Sequence, residues 1–271
     1  MEWFDAIILG LVQGLTEFLP VSSSGHLVLG REVLGIDAPE DLVFETTVHA
    51  ATVLSTIIVF RSQIWSLLKG LFKFKYNDET DYILKICVSM IPVFIVGMFF
   101  RDFVEGLFGS VHGVAAALVV TAVLLFFSDL VSGKQYKGAR LPAPKAYRNG
   151  ISYWQALVVG IGQAFAVTPG LSRSGTTIAT GLICGVRRDV MAQFSFLMVL
   201  VPILGSSFLD LLSGEVANSS VGWLPLLLGF VSAFLSGLFA CKVMIALVKK
   251  AKLGWFSLYC VIVAALVFIF M

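Results

Sequence analysis

Charged residues are scarce in this chain. Asp, Glu, Lys and Arg make up 13% of the 271 residues, whereas a soluble domain carries about 25%. Hydrophobic residues account for 58%, and the mean hydropathy is +0.93. This composition excludes an ordinary soluble globular protein and indicates a polytopic membrane protein, surrounded by membrane lipids.

Cysteine clusters, basic runs and low-complexity segments are missing too. The four cysteines stand singly in apolar sequence, with the spacing of neither a disulfide framework nor a zinc site. The net charge is only +2, and the basic residues fall between apolar stretches, which argues against nucleic-acid binding. The N-terminal MEWFD lacks the basic flank of a cleavable signal, so we expect it to be retained. One integral domain, 1–271, is the simplest organisation.

A stretch near the N-terminus recurs in the second half. Residues 6–25 read AIILGLVQGLTEFLPVSSSG, and residues 156–175 read ALVVGIGQAFAVTPGLSRSG. Matching apolar segments broken by Gly, Pro and Ser indicate a membrane site at the interface of two repeats. We expect one repeat over about 1–132 and a second over about 150–271. The offset that places residue 6 on residue 156 is called the repeat offset below.

Six apolar stretches are long enough to cross about 30 Å of hydrocarbon. They are residues 46–61, 82–100, 113–131, 191–210, 222–247 and 254–271. The first is short, and we expect it to extend into the amphipathic RSQIWSLLKG that follows. The motif regions, about 4–35 and 153–185, are interrupted, and exposed backbone cannot face lipid. The sequence therefore predicts an all-α polytopic membrane protein with two re-entrant helix–loop–helix regions and about six transmembrane helices.

Loop charge predicts the orientation of these spans. Lys and Arg are concentrated in residues 61–85, 133–150 and 242–252, which the positive-inside rule places in the cytoplasm. The net acidic connections 37–45, 101–110 and 210–220 should face outward. The first re-entrant region then lies on the outer side and the second on the inner side. Each repeat has three spans, so the same inversion follows from parity, and we predict an inverted-topology repeat.

Five ionisable residues lie within apolar sequence. A charge at the centre of a membrane helix costs about 2.5–3.5 kcal/mol, so such residues are functional candidates. They are Glu17, His26, Glu45, His49 and Arg173. The alternative for Glu17 and Arg173 is mutual neutralisation across the repeat interface. Glu45 and His49 are four residues apart, and either belongs to a pocket rim or Glu45 is an interfacial cap.

The two Ser-Gly turns are candidate anion sites. Backbone N–H groups at the start of a helix bind anions, and each turn ends one half-helix and begins the next. Gln13 and Glu17 project from one face of the first half-helix. His26 follows the first turn, within reach of a serine hydroxyl or a bound phosphate. The second turn adds Arg173, whose guanidinium suits bidentate phosphate binding.

This inventory favours phosphoryl transfer or the carriage of a phosphate-bearing lipid. A carboxylate beside phosphates suggests a bridging divalent cation, Mg²⁺ or Ca²⁺, with Glu17 as its ligand. A transporter stays open as an alternative, because broken helices meeting at mid-membrane are typical of secondary transporters.

The motifs resemble the signatures of the undecaprenyl-diphosphate phosphatase (bacitracin-resistance) family. Residues 13–26, QGLTEFLPVSSSGH, are similar to the first signature, and residues 169–177, PGLSRSGTT, to the second. The resemblance covers essentially the whole chain. It implies a plasma-membrane enzyme that removes the terminal phosphate of a C55 polyprenyl diphosphate, recycles the cell-wall carrier lipid and confers bacitracin resistance. It also implies dependence on divalent cations and the capacity to form a homodimer.

The resemblance also assigns roles to residues. It places the family's acidic pair on Gln13 and Glu17, its serine nucleophile on Ser23, its histidine on His26 and its arginine on Arg173. Further substrate contacts are expected from Ser22, Ser24, Gly25, Glu45, Ser172, Ser174, Gly175 and Thr177. Two positions depart from the family pattern: Gln13 stands where many members have Glu, and His49 where Gln is expected. A metal that needs both carboxylates would bind more weakly here, or with help from Glu45.

Two chemical routes follow from these assignments. In the first, Ser23 attacks the terminal phosphorus and His26 takes its proton. In the second, water activated by Glu17 or His26 attacks directly. The rival function is a polyprenyl-phosphate transporter or flippase that uses the same pocket without chemistry. The site is expected to open to the outer face, because the first loop and Glu45 fall on that side.

Overall fold

Every regular element that the structure describes is helical. The computed structural model describes residues 1–36, 42–100, 111–138, 148–168, 170–205, 221–250 and 252–271. Its helices are α1 Trp3–Thr16, α2 Ser23–Leu34, α3 Leu42–Val59, α4 Arg61–Leu71, α5 Asp78–Phe99, α6 Val111–Gly138, α7 Tyr153–Phe165, α8 Arg173–Ile183, α9 Arg188–Met198, α10 Trp223–Lys250 and α11 Gly254–Phe270. No strand occurs within these ranges, and the predicted all-α class is confirmed.

Four helices are long and apolar enough to cross a membrane. They are α5, the Val111–Ser132 part of α6, the stretch Arg188–Gly205 that begins with α9, and the Trp223–Leu247 part of α10. They correspond to four of the six predicted spans. The predicted span at 254–271 is α11, an apolar helix of 17 residues, or about 26 Å. The chain is thus a multi-pass membrane protein.

The remaining predicted span does not continue straight into the amphipathic segment. The helix axis bends by 76° between Val43–Val59 and Arg61–Leu71, which together are apolar enough for one broken span, so the expected extension is bent and not straight. The cause lies in the sequence of α4, which carries Arg61 and Lys69 and would bring both charges into hydrocarbon if it continued. Its Trp65 is exposed, as expected for a helix lying in the interface.

Both motif regions form helical hairpins. In the second, the Nε2 of Gln155 at the start of α7 donates to the carbonyl of Cys184 just after α8, at 2.9 Å. A chain that returns beside its starting point has re-entered on one side, as predicted. In the first hairpin Gly30 of α2 lies directly against Leu9 of α1. The helices have 14, 12, 13 and 11 residues, too short to span about 30 Å singly.

Glycines matched by the repeat offset make matched contacts. A Cβ on Gly10 of α1 would lie 2.5 Å from the carbonyl oxygen of Gly229 on α10. A Cβ on Gly160 of α7 would lie 2.2 Å from the carbonyl oxygen of Ser89 on α5. Each hairpin therefore packs its first helix closely against the second-last helix of the opposite half. The opposite membrane orientation of the halves stays a prediction.

Some sequence predictions fall outside the described residues. The connections 101–110 and 210–220, most of 37–45, and much of 133–150 belong to this group, as does Pro169 of the second motif.

Candidate functional site

The two hairpin turns face a shared cavity of about 440 Å³. Its polar lining comes from both turns and from α3. The predicted site residues among its lining are Glu17, Ser22, Ser23, Ser24, Glu45, Ser172, Arg173 and Ser174. Apolar residues of α5 and of the stretch after α9 complete the walls. The volume is that of a small-ligand site.

Matching serines cap the helix that follows each turn. The Ser22 Oγ accepts the N–H of Gly25 at 3.2 Å, and the Ser172 Oγ accepts the N–H of Gly175 at 3.1 Å. An N-cap side chain accepts only one of the backbone N–H groups that the first turn leaves without a helical partner. Other N–H groups at both helix starts are therefore free to bind a ligand. These groups and the helix dipoles favour an anion in the cavity.

The two turns also pack on each other reciprocally. A Cβ on Gly25 would lie 3.2 Å from the Cα of Gly170 in the second turn, and one on Gly175 would lie 3.2 Å from the Cβ of Pro20 in the first. The repeat offset relates these two contacts. The turns differ at the cap itself: Ser22 has φ 69°, whereas Ser172 has φ −69°. A positive φ in a non-glycine residue costs of order 1–3 kcal/mol and is common at functional sites.

Glu17 is the centre of a hydrogen-bond network. Its Oε2 accepts the Ser23 hydroxyl at 2.5 Å and the Nε2 of Gln13 at 2.9 Å. The i, i+4 spacing of Gln13 and Glu17 brings them together as expected. Because the serine proton already points at the carboxylate, Glu17 is placed to receive it when Ser23 acts as a nucleophile.

Arg173 is the first residue of α8 and forms a long ion pair with the same carboxylate. Its Nη2 lies 3.5 Å from Oε1 of Glu17, beyond the about 2.7–2.9 Å of a charge-assisted hydrogen bond. The side chain also lines the cavity. The two residues therefore form an ion pair that is longer than a charge-assisted hydrogen bond, and mutual neutralisation and phosphate binding both stay open as roles of the arginine. Its N–H donors are available to a bound phosphate.

The rim of the cavity includes Glu45. Its carboxylate forms an ion pair with Arg31 of α2 at 2.7 Å. Of the two interpretations of Glu45, the rim of a pocket and an interfacial cap, the structure favours the rim. Ser174 donates to the carbonyl of Leu19 at 3.0 Å and thereby ties the second turn to the first. Thr177 shares a 2.6 Å hydrogen bond with Ser195 in the wall behind the turn.

His26 is placed apart from this network. Its Nδ1 lies 2.7 Å from the carbonyl oxygen of Ser22, and its Nε2 lies 2.8 Å from the Tyr259 hydroxyl of α11. The ring stacks on that tyrosine, with the centroids 5.7 Å apart. It does not belong to the cavity lining. The geometry thus favours Glu17 over His26 as the group that takes the Ser23 proton, and gives His26 a role in holding the turn.

Several polar residues near the site were not predicted. A chamber of about 20 Å³ adjoins the cavity, and both share Glu17, Gln163 and Arg173 in their walls. Ser174 also lines both, and the other polar residues of the chamber are Thr52, Thr56, Thr177 and Ser195, of which Thr177 was predicted. It has the volume of one water molecule. Gln163 was recognisable as the repeat partner of Gln13, whereas Tyr259 lies in a uniformly apolar helix that gives no signal.

The side chains around Glu17 provide too few ligands to hold a cation without a substrate. Among the described residues no group of three His, Cys, Asp or Glu side chains is arranged to hold a metal. Mg²⁺ commonly binds through one or two carboxylates together with substrate phosphates. The Oε1 of Gln13, next to Glu17, has no hydrogen-bond partner, but Gln13 is buried and lines neither the cavity nor the adjoining chamber. A cation carried in with a phosphate ligand is compatible with this set.

The fold and the site together define a polytopic membrane protein with a serine, a carboxylate and an arginine gathered in a cavity between two re-entrant hairpins. The family model described as "Bacitracin resistance protein BacA" matches residues 6–266. The chain belongs to this family.

Curated relatives match over nearly the full length. The chain is 49% identical to an "Undecaprenyl-diphosphatase" of Bacteroides fragilis over 97% of this chain and 96% of the relative. It is 48% identical to that of Bacteroides thetaiotaomicron over 99% of each chain. It is 38% identical to that of Halothermothrix orenii over 99% of this chain and 98% of the relative.

Proposed function

We propose that this chain is an undecaprenyl-diphosphatase, a membrane hydrolase that converts the C55 polyprenyl diphosphate to the monophosphate and inorganic phosphate. The observation that carries the proposal is the 2.5 Å hydrogen bond from Ser23 to Glu17 beside Arg173. A nucleophile paired with a base is superfluous for carriage of a lipid and necessary for covalent phosphoryl transfer. The activity recycles the cell-wall carrier lipid and gives bacitracin resistance.

The residues support a two-step reaction. Arg173 and the helix starts hold the diphosphate, and the Ser23 proton passes to Glu17 as its oxygen attacks the terminal phosphorus. The bond to the bridging oxygen breaks, polyprenyl monophosphate leaves, and Glu17 returns the proton to that phosphate. Water then attacks the phosphoserine while Glu17 takes its proton, and phosphate departs as the serine is reprotonated. The chamber beside Glu17 has room for that water.

A divalent cation bound with the substrate belongs to this proposal. Glu17 would hold it together with the phosphate oxygens, and it would offset their negative charge. Homodimerisation stays a prediction from the family resemblance.

Phosphate release from long-chain polyprenyl diphosphate by the purified protein in detergent tests the proposal. We expect release with Mg²⁺, loss of release with chelator, and loss of about 10³-fold or more in kcat for Ser23→Ala, since the nucleophile itself is removed. Acid quenching during turnover should trap phosphate on Ser23. The control is Ser62→Ala, on the exposed part of α4.

The possible outcomes separate the alternatives. Turnover that never labels Ser23, with Ser23→Ala still active, would establish direct attack by water. Folded wild-type protein that releases no phosphate but moves polyprenyl phosphate across vesicles would establish the transporter instead.

We propose further that the cavity opens to the outer face of the cell membrane. The acidic segments 37–45 and 101–110, and the basic segments 61–85 and 133–150, support this orientation through the positive-inside rule. Ser24→Cys in a background without the native cysteines should react with an impermeant thiol reagent from outside intact cells. Reaction only in inverted vesicles would contradict the orientation.

A further inference from the structure

His49 lines the cavity, and the proposed mechanism gives it no task. It lies one turn beyond Glu45 on α3 and shares the cavity with Ser23 and Arg173. The ring is only partly exposed. A histidine in a membrane helix is costly unless it has a partner or a function. The structure supplies the partner.

Gln13 connects His49 to the catalytic carboxylate. The Nε2 of Gln13 lies 2.9 Å from Oε2 of Glu17 and 2.7 Å from Nδ1 of His49. An amide nitrogen carries two N–H donors and no acceptor, so both neighbours must accept. The opposite amide orientation would place an oxygen against the Glu17 carboxylate, which is unfavourable. The lone pair of His49 is therefore on Nδ1, and the ring proton is on Nε2.

Gln13 and His49, the two residues at which the resemblance implies a different residue type, are thus in direct contact. A glutamate at position 13 would offer no donor to Nδ1 of His49 and would place a second carboxylate beside Glu17. Glutamine at this position removes that repulsion and fixes the tautomer of the histidine. Gln13 and His49 act as one unit.

With Nδ1 occupied, Nε2–H is the ring group left for a ligand. Within the described part of the chain, Nε2 has no hydrogen-bond partner. We propose that His49 is a substrate-contacting residue whose Nε2–H donates to a phosphate oxygen of the bound diphosphate, and that Gln13 holds it in this tautomer. The inference rests on the proposed phosphatase function. His49 then adds a neutral donor to the charged donors of Arg173.

The kinetic test compares three histidine variants of the full-length protein in detergent. His49→Phe keeps the ring volume and removes the donor, and it should lower kcat/KM by about 10- to 100-fold, as for a lost transition-state donor. His49→Gln keeps an N–H donor and should stay within about tenfold of wild type. The control is His112→Phe, because His112 is exposed at the start of α6 and contacts the Phe268 ring.

A spectroscopic test reads the tautomer independently of turnover. The chain has three histidines, so ¹⁵N NMR can assign His49 by its loss in His49→Gln. We expect the neutral Nε2–H form in the wild type, a mixture of tautomers in Gln13→Met, and a shift of the Nε2 signal on addition of inorganic diphosphate.

The outcomes distinguish this inference from the proposed function. Wild-type hydrolysis with an unaffected His49→Phe, or a protonated Nδ1 in the wild type, would overturn the inference and leave the phosphatase standing. An inactive wild type whose Nε2 signal still responds to diphosphate would remove the phosphatase and keep the anion contact. If His49→Phe fails to fold, the tautomer seen by NMR in the wild type and the response of its Nε2 signal to diphosphate decide.

Discussion

Glu17→Gln is expected to lower kcat by about 10²- to 10⁴-fold and to raise KM. The amide keeps the size of the side chain but cannot take the Ser23 proton, and general-base catalysis is typically worth this factor. Because Glu17 is also the proposed ligand of the cation that enters with the substrate, substrate binding is expected to weaken as well. Steady-state phosphate release over a range of substrate concentrations measures both parameters.

Glu32→Gln provides the matched control for Glu17. Glu32 lies on α2, one helix away in the same hairpin, and is exposed. It should retain wild-type kinetics. A Glu17→Gln enzyme that keeps kcat within about tenfold of wild type would assign the proton transfer to another group. His26→Gln would then be the next variant to measure.

Arg173→Lys is expected to behave almost like Arg173→Ala, with a loss of about 10²- to 10³-fold in kcat/KM for either. Lysine keeps the positive charge but loses the planar fork that contacts two phosphate oxygens at once. Removal of a positioned donor from a site that stabilises developing charge typically costs this much. The rate of phosphate release at substrate concentrations well below KM measures kcat/KM directly.

Arg61→Lys is the control for this substitution. Arg61 begins α4, is exposed, and donates to the carbonyl oxygen of Ile58 at 3.1 Å. It should have no effect on turnover. If Arg173→Lys retained most of the activity while Arg173→Ala did not, the arginine would act as a point charge, and the bidentate contact would be refuted.

The hairpins and most of the site could be predicted because their signals are local. Pro20, the Ser-Gly turns and the repeat offset break the helices at matching places, and only buried backbone tolerates such breaks in a membrane. The i, i+4 spacing placed Gln13 beside Glu17. The position of Arg173 beside the first turn was predictable for another reason, because a charge in an apolar segment needs a partner.

The features that could not be predicted depend on the tertiary arrangement. The bend at Phe60 sets α4 apart from α3, and hydropathy alone does not measure an angle. His26 was expected beside Ser23 because it follows the turn, but it is the fourth residue of α2, and its side chain points toward α11 and Tyr259. The contact between Gln13 and His49 joins two helices whose separation in sequence gives no pairing signal.

The shortness of the hairpins has an electrical consequence. α1 and α7 have 14 and 13 residues, so each measures about 20 Å against about 30 Å of hydrocarbon. Hairpins that enter from opposite faces, as the sequence predicts, would bring their turns together near the middle of the membrane. A charge that crosses half of a 100 mV potential changes in energy by about 1 kcal/mol. With the proposed outward opening, an interior-negative voltage would drive phosphate outward after each turnover, and it would equally oppose the entry of the anionic diphosphate headgroup by the same route.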